Sequence, residues 1–511
     1  MKYYNASLYG ENDRLTKNNI IEVEDGHIVS ITKGTNPVVT DEDYDCKGKL
    51  VYPSFMDSAV VIPGSEQFKL FGVDISDANS MEDYITRLTA GVTEHGIRGF
   101  GFNTNILGVD GAVRIKKLLD RICPHTAAYV WADDMSNVIV NDFVLEEAKR
   151  WFTVGRDLYT DGMLDLAEVQ YLLKNTDIFS FTHDEMELAI MSFQKKMLSV
   201  GITTVRSLSM YCTLETLDVL CDMMRKGTLL LDIIAYMPVY YFDSYEDIIA
   251  RWAKYATFSS DKINIEGVTV TLDGSIDSGQ AALKQPYECD PSWTGSVLWN
   301  RVQLTTTLRK LASRGLSVNV NAVGDAAVDV AIDALIASKY DGLHKPVRTL
   351  THAYLMDDDA VKLCARNDIT VCVEPNSVPY NNTFYDGDRI MIGDRVYSEY
   401  PVGRLAYAGV NLIAGSNYPT QSEISPIHGV YKATHRVSAD DVTPYKVLEM
   451  YGSNARELYG LSYHEGSVAP GMRANFVILD KDIIHMREDL LCDIEYLATV
   501  VDGVVQWGKI I

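Results

Sequence analysis

Apolar runs recur along the middle of the chain at a spacing that alternates with helix-like patterns. Eight of them read as strands, near residues 51–61, 201–207, 229–238, 264–274, 317–323, 347–354, 369–375 and 410–418. Between them lie amphipathic segments. Leu304, Leu308 and Leu311 share one helical face, and Asp325–Ser338 is rich in Ala, Val and Ile. Eight strands alternating with helices predict an α/β fold built on a TIM-type (β/α)8 barrel. The two ends of the chain follow a different rhythm. Residues 20–31 alternate and turn at Asp25-Gly26, while 474–479 and 499–506 read as strands, the second folded at Asp502-Gly503. Both termini are therefore expected to meet in one small β-sandwich domain, 1–54 with 456–511, beside a barrel spanning 55–455. The stretch of about 63–200 is too long for one βα unit. It is expected to form a mostly helical insertion after strand one, covering the barrel mouth.

Composition narrows the function classes. The chain has 511 residues, 47% of them hydrophobic, and a formal net charge of −24. Such a charge repels nucleic acid and anionic membranes, so neither is expected as a partner. No run of eighteen apolar residues is present, and the start, Met-Lys-Tyr-Tyr-Asn-Ala-Ser, has no apolar signal-peptide core. A cytoplasmic protein is the expectation. The eight cysteines, at 46, 123, 212, 221, 289, 364, 372 and 492, form no CxxC pair and read as reduced thiols. The sequence has no GxSxG elbow, no P-loop and no full GxGxxG.

Chemistry in a barrel of this kind sits at the C-terminal ends of the strands. That rule selects Asp57 to Val61, Arg206, Thr269 to Asp273, Asn319 to Asp325, His352, Glu374 and Asn417. Period two puts Thr269, Thr271 and Asp273 on one face, and Asn319 with Asn321 on another. The candidate proton carriers are His352, Asp273, Asp325 and Glu374; the candidate ligand contacts are Asn321, Asn417, Thr269, Asn319 and Arg206. Each has a structural alternative. His352 reads first as a satisfied core histidine, Asp325 equally as a cap for the helix at Ala326-Ala327, and Asp273 also as a strand-end turn. The ten histidines contain no HxH, HxxH or HxxxH pair. In Thr182-His-Asp-Glu-Met-Glu187 a helix start is preferred over a metal site.

These strand ends carry a family resemblance. Tyr52-Pro-Ser-Phe-Met-Asp-Ser58, Leu272-Asp-Gly-Ser275, Ala322-Val-Gly-Asp-Ala-Ala327, Thr351-His-Ala353, Ala414-Gly-Ser-Asn-Tyr-Pro419 and Glu465-Gly-Ser-Val-Ala-Pro-Gly471 follow one another in order. The chain resembles the amidohydrolase superfamily, specifically the family 3 branch that includes enzymes similar to N-substituted formamide deformylases. That resemblance implies hydrolysis of non-peptide C–N bonds at a centre of zinc or another divalent metal. It also implies metal ligands at positions that here carry Ala59, Val61, Thr269, Asn321 and Asn417, with only His352 retained. Met135 and Arg206-Ser207 depart from the family on the substrate side. Alanine and valine offer no donor, threonine cannot be carbamylated, and neutral amides are poor zinc ligands. The expectation is therefore no metal and no other cofactor. The protein reads as a catalytically inactive homologue with a retained small-molecule pocket. Two alternatives stay open: a metal-independent C–N hydrolase or lyase using His352 and nearby carboxylates, and a non-catalytic subunit of an intact paralogue. A homodimer is the default assembly.

Overall fold

The computed structural model describes every residue except 11–13, 35–36, 109, 209–212, 341, 343–344, 380–385, 436–441 and 510–511. Cys212 therefore lies outside the described residues. At the centre stand eight parallel strands: Phe55–Val60, Ile202–Ser207, Asp232–Val239, Ile263–Thr271, Ser317–Ala322, Arg348–His352, Thr370–Val373 and Leu412–Ala414. Each pairs in parallel with the next. The barrel closes where Asn417 N–H donates to Ala59 O (2.9 Å) and Val61 N–H to Tyr418 O (2.9 Å). The buried carboxylate of Asp57 secures that seam, accepting from Ala59 N (3.1 Å) and Ser416 N (2.9 Å). Burial nonetheless pushes its pKa up to about 6, although the Ser416 and Ala59 donors work in the opposite direction.

The helices between strands begin where short polar side chains take over the orphan N–H groups. Asn300 accepts from Val302 N and Gln303 N to open Arg301–Ala312, and Leu304, Leu308 and Leu311 face inward from it. Each buried leucine contributes about 2 kcal/mol through removal of apolar surface from water.

Both termini share one sheet. Its order runs Val504–Gly508, Tyr496–Val501, Phe476–Leu479, Leu50–Pro53, Lys2–Tyr9, Leu15–Glu24, His27–Lys33, with Tyr44–Asp45 paired on Lys2–Tyr9. The two expected turns are present: Asp25 and Gly26 have φ of 48° and 77°, Asp502 and Gly503 48° and 81°. Two adjacent residues with φ > 0 are what a two-residue hairpin turn requires, and Asp-Gly supplies them at little strain.

The insertion adds a sheet to the helices expected there. Five strands, Val73–Asp74, Ile97–Phe102, Ala128–Ala132, Val138–Val140 and Met163–Leu164, pack against Met81–Ala90 and Gly111–Ile122. The hairpin tip at 133–137 dips toward the barrel mouth. Gln280 Nε2 donates to Asn137 Oδ1 (2.6 Å), Leu166 N–H to Gln280 Oε1 (3.1 Å), and Ser275 Oγ to Asp134. The roof is thus tied to the loop that follows the fourth barrel strand. No helix among the described residues is long and apolar enough to cross a membrane.

Candidate active site at the barrel mouth

Inside the barrel, the polar positions form one hydrogen-bonded net. Asn319 Oδ1 accepts from Thr349 Oγ1 (2.6 Å), Thr351 Oγ1 (2.7 Å) and the Arg206 guanidinium (3.0 Å). Asn319 Nδ2 donates to Thr269 Oγ1 (3.0 Å) and Asn321 Oδ1 (2.8 Å). Asn321 Nδ2 in turn reaches Leu208 O (3.3 Å) and, at 3.4 Å each, Thr269 Oγ1 and Thr271 Oγ1. Strand alternation puts these side chains in the lumen. There, unpaired polar groups would be costly, and the amides and hydroxyls of 269, 319, 321, 349 and 351 pair with one another.

Arg206 anchors the lower end of this net. It is fully buried and also donates to Ser58 O (3.1 Å) and Thr349 Oγ1 (2.5 Å). The Tyr236 and Tyr459 rings flank it at 5.1 and 5.8 Å. No carboxylate stands within ion-pair reach of it among the described residues. The barrel interior thus carries a resident cation, held by amides, hydroxyls and aromatic faces.

A second cluster surrounds His352. Its Nδ1 lies 2.5 Å from Glu374 Oε1, Tyr354 OH donates to Glu374 Oε2 (2.6 Å), and Asn417 Nδ2 donates to Tyr354 OH (3.1 Å). His352, Ala353 and Asn417 all have left-handed backbones, with φ of 74°, 48° and 59°. Such a conformation costs a residue with a Cβ about 1–2 kcal/mol, and strain of this kind concentrates at functional sites. Burial disfavours an imidazolium at His352. The Glu374 charge and hydrogen bond outweigh it, and the pKa rises above the ordinary histidine value. Glu374→Gln is therefore expected to bring the His352 pKa below about 6.5, because burial then dominates. Following the ring carbons by NMR from pH 5 to 9 checks this; an unshifted titration contradicts it. The pair's contribution to stability is fully present below the unfolded-state pKa and is lost as pH rises through the raised folded one.

Asp273 holds backbone. Its Oδ1 accepts from Val323 N, and its Oδ2 from Gly324 N and Ala282 N, all at 2.9 Å. Gly324 is required there, since a Cβ would lie 2.1 Å from Ala282 O. Burial pushes Asp273 up to about 7 despite the three donors. Asp325 is the first residue of the helix Asp325–Ala337, with Gly324 at the cap position. Its Oδ1 accepts from Lys284 N (2.8 Å) and Ala326 N (3.0 Å).

A cavity of about 200 Å³ opens above these residues. Asp273, Asn321, His352 and Asn417 are on its wall, with Ala59, Val61 and Met135. Thr269, Asn319, Arg206, Glu374 and Asp325 are not. Glu374 reaches the cavity only through His352 and Tyr354. Sequence reasoning missed Tyr354, and it missed Asp133, Asp134, Asp277 and Asp388 on the outer wall.

Comparison with known proteins follows from this geometry. The amidohydrolase family model matches residues 42–506. The chain belongs to that family. A putative amidohydrolase, YtcJ, of Bacillus subtilis (strain 168) is 23% identical over 52% of this chain and 51% of its own length. The N-substituted formamide deformylase of Arthrobacter pascens is 23% identical over 45% and 43%. The chain thus spans about half the length of these two curated relatives. Among solved structures, an uncharacterized metal-dependent hydrolase from Pyrococcus horikoshii OT3 superposes with a TM-score of 0.73 at 23% identity. The match covers 96% of this chain and 99% of that one. These likenesses fix the amidohydrolase-type barrel for this chain.

The expectation of no cofactor is corrected. Family members and structural neighbours are metal-dependent hydrolases, and the fold assembles one set of residues able to hold a metal ion. His183, Asp218 and Asp222 bring one ligand atom each within 4.8 Å of one another, the only such group among the described residues. His183 opens the helix His183–Leu198, whose Thr182–Glu185 capping box matches the helix start read from sequence. Asp218 and Asp222, one turn apart on Leu214–Arg225, complete the group, with His183 Nε2 2.9 Å from Asp222 Oδ2. The group stands outside the barrel-mouth cavity. At the mouth itself the donor set does not fit a family-type metal centre. Ala59 and Val61 have no donor atom, and Asn321 and Thr269 are committed to the interior net. His352, with Glu374 on its Nδ1, offers through Nε2 one imidazole ligand where a catalytic zinc takes three or more protein donors.

Proposed function

We propose that this amidohydrolase-family chain binds a small molecule at its barrel mouth and does not hydrolyse C–N bonds by the family's metal-activated water. The observation that carries the reading is the interior net. Amides and hydroxyls at 269, 319 and 321 satisfy one another, which is what a site stabilised without a bound metal at the mouth requires. A water lowered from a pKa of about 16 toward 7 needs a cation, and these neutral, mutually hydrogen-bonded side chains are poor ligands for one. On this reading, a metal ion bound by this chain would be held by His183, Asp218 and Asp222 rather than at the mouth.

The test is an assay of N-substituted formamides and related amides, with and without chelator. The expected result is no turnover above buffer. Turnover abolished by chelator overturns the reading. One observation favours a second reading, acid/base cleavage or elimination at a C–N bond. His352 borders the cavity with Glu374 behind it, and Tyr354 is on the other carboxylate oxygen. Turnover that survives chelator and disappears in both His352→Asn and Glu374→Gln would establish it in place of the first.

A further inference from the structure

We propose that the barrel-mouth cavity takes an organic cation, a small molecule bearing an ammonium, amidinium or guanidinium group held among Asp134, Asp277 and Asp388. The inference rests on the reading of the mouth as a ligand pocket and adds the charge class of the ligand.

The outer wall of the cavity carries Asp133, Asp134, Asp277 and Asp388, and no Lys or Arg lines it among the described residues. Three of the four have visible partners. Asp134 accepts from Ser136 N (2.9 Å), Ser136 Oγ (2.7 Å) and Ser275 Oγ. Asp133 accepts from Asn103 Nδ2 (2.9 Å), and Asp277 is hydrogen-bonded to Ser275. Asp388 differs from them. It is only 7% exposed, it faces the cavity from the segment 386–392, and no hydrogen bond or ion pair reaches its carboxylate among the described residues. Its carboxylate, largely buried yet without a protein donor, is left to whatever occupies the cavity.

The electrostatics agree. Burial raises Asp133, Asp277 and Asp388, and in each the charge of Asp134 adds to the effect. Four acids facing one space that no Lys or Arg lines, with His352 already engaged by Glu374 on the inner wall, make a field that a positively charged ligand relieves through charge-assisted hydrogen bonds. A bare divalent ion fits less well. It needs ligand oxygens converging on one point, and among the described residues only the His183 group converges that closely. Dispersed acids match a cation whose N–H donors spread over several ångströms.

The rest of the wall indicates what the cation is attached to. Val61 and Met135 line this cavity and also a neighbouring one of about 350 Å³, where Phe68, Trp131, Phe181 and Tyr240 are found. An apolar or aromatic body directed toward Val61 and Met135 is accommodated there.

The experiment is calorimetric titration of the full chain at pH 8 with three probes of similar shape: 2-phenylethylamine, 2-phenylethanol and 3-phenylpropionate. The ammonium probe is expected to bind at least about tenfold more tightly than the alcohol, and the carboxylate not at all. Asp388→Asn and Asp277→Asn should each weaken the amine by about tenfold, with Asp329→Asn on the outer helix as the unaffected control. Both variants remove a charge from a repelling cluster, so folding is expected to survive, and thermal melts confirm it. Alcohol or carboxylate binding as tight as the amine overturns the charge class and leaves the pocket reading standing. Amine binding untouched by both variants places the cation elsewhere and overturns the assignment. Calcium competing with the amine, with the same sensitivity to Asp388→Asn, overturns it in favour of a metal site. Failure of all three probes overturns this inference together with the pocket reading.

Discussion

Arg206→Ala is expected to destabilise the protein by about 3–4 kcal/mol, whereas Arg206→Met stays within about 1 kcal/mol of the native chain. Two effects compete at this residue. The side chain fills the barrel lumen between the Tyr236 and Tyr459 rings, so truncation leaves a cavity. Its charge, by contrast, is buried without a carboxylate, and its Nε has no partner. The acceptors it serves are not orphaned on its removal. Asn319 Oδ1 keeps Thr349 and Thr351, and Ser58 O keeps Cys372 Sγ at 3.6 Å. A methionine of similar length restores packing without the desolvated charge. Urea denaturation of the two variants separates the terms. Equal, large losses in both would mean that the cation itself holds the interior net together.

Asp273→Ala is the second large effect, a loss of about 3–5 kcal/mol, because three buried N–H groups at Val323, Gly324 and Ala282 lose their acceptor at about 1–3 kcal/mol each. Those bonds tie the loop after the fourth barrel strand to the start of the fifth helix. Their loss also loosens the wall on which Ser275 and Asp277 stand. Asp273→Asn keeps one acceptor oxygen and costs less. Its cost also depends on pH. The carboxyl is raised to about 7 in the folded state. Between pH 4 and 7 the unfolded chain therefore ionises first, and native stability falls as pH rises. The destabilisation by Asp273→Asn should accordingly be greater near pH 4 than near pH 7. Melts across that range check the sign; a cost that grows with pH contradicts it.

The barrel was readable because its strands are long apolar runs set apart by helical patterns. All eight expected positions hold a strand, with ends displaced by a few residues. The terminal hairpins were readable because Asp-Gly demands one backbone conformation. The sheet of the insertion was not. Val73–Asp74 and Met163–Leu164 are two residues each, and Ile97–Phe102 is interrupted by Gly99 and Gly101. Strands that short carry no periodicity.

At the mouth, alternation along single strands was enough to group Thr269 with Thr271 and Asn319 with Asn321. It could not supply contacts between distant loops. Tyr354 stands two residues past His352, and the left-handed backbones at His352 and Ala353 carry the chain there. Asp277 and Asp388 are 111 positions apart in a chain with 70 acidic residues, so nothing marked them. The same holds for His183 with Asp218 and Asp222. The spacing of the two aspartates, one helical turn, was the only local sign.

The central claim is that the barrel mouth is a ligand pocket without a metal-activated water. Anomalous diffraction from crystals grown with zinc tests it most directly. The account predicts that any zinc peak falls among His183, Asp218 and Asp222, with none between Ala59, Asn321 and His352. A peak within coordination distance of His352 at the mouth would contradict it.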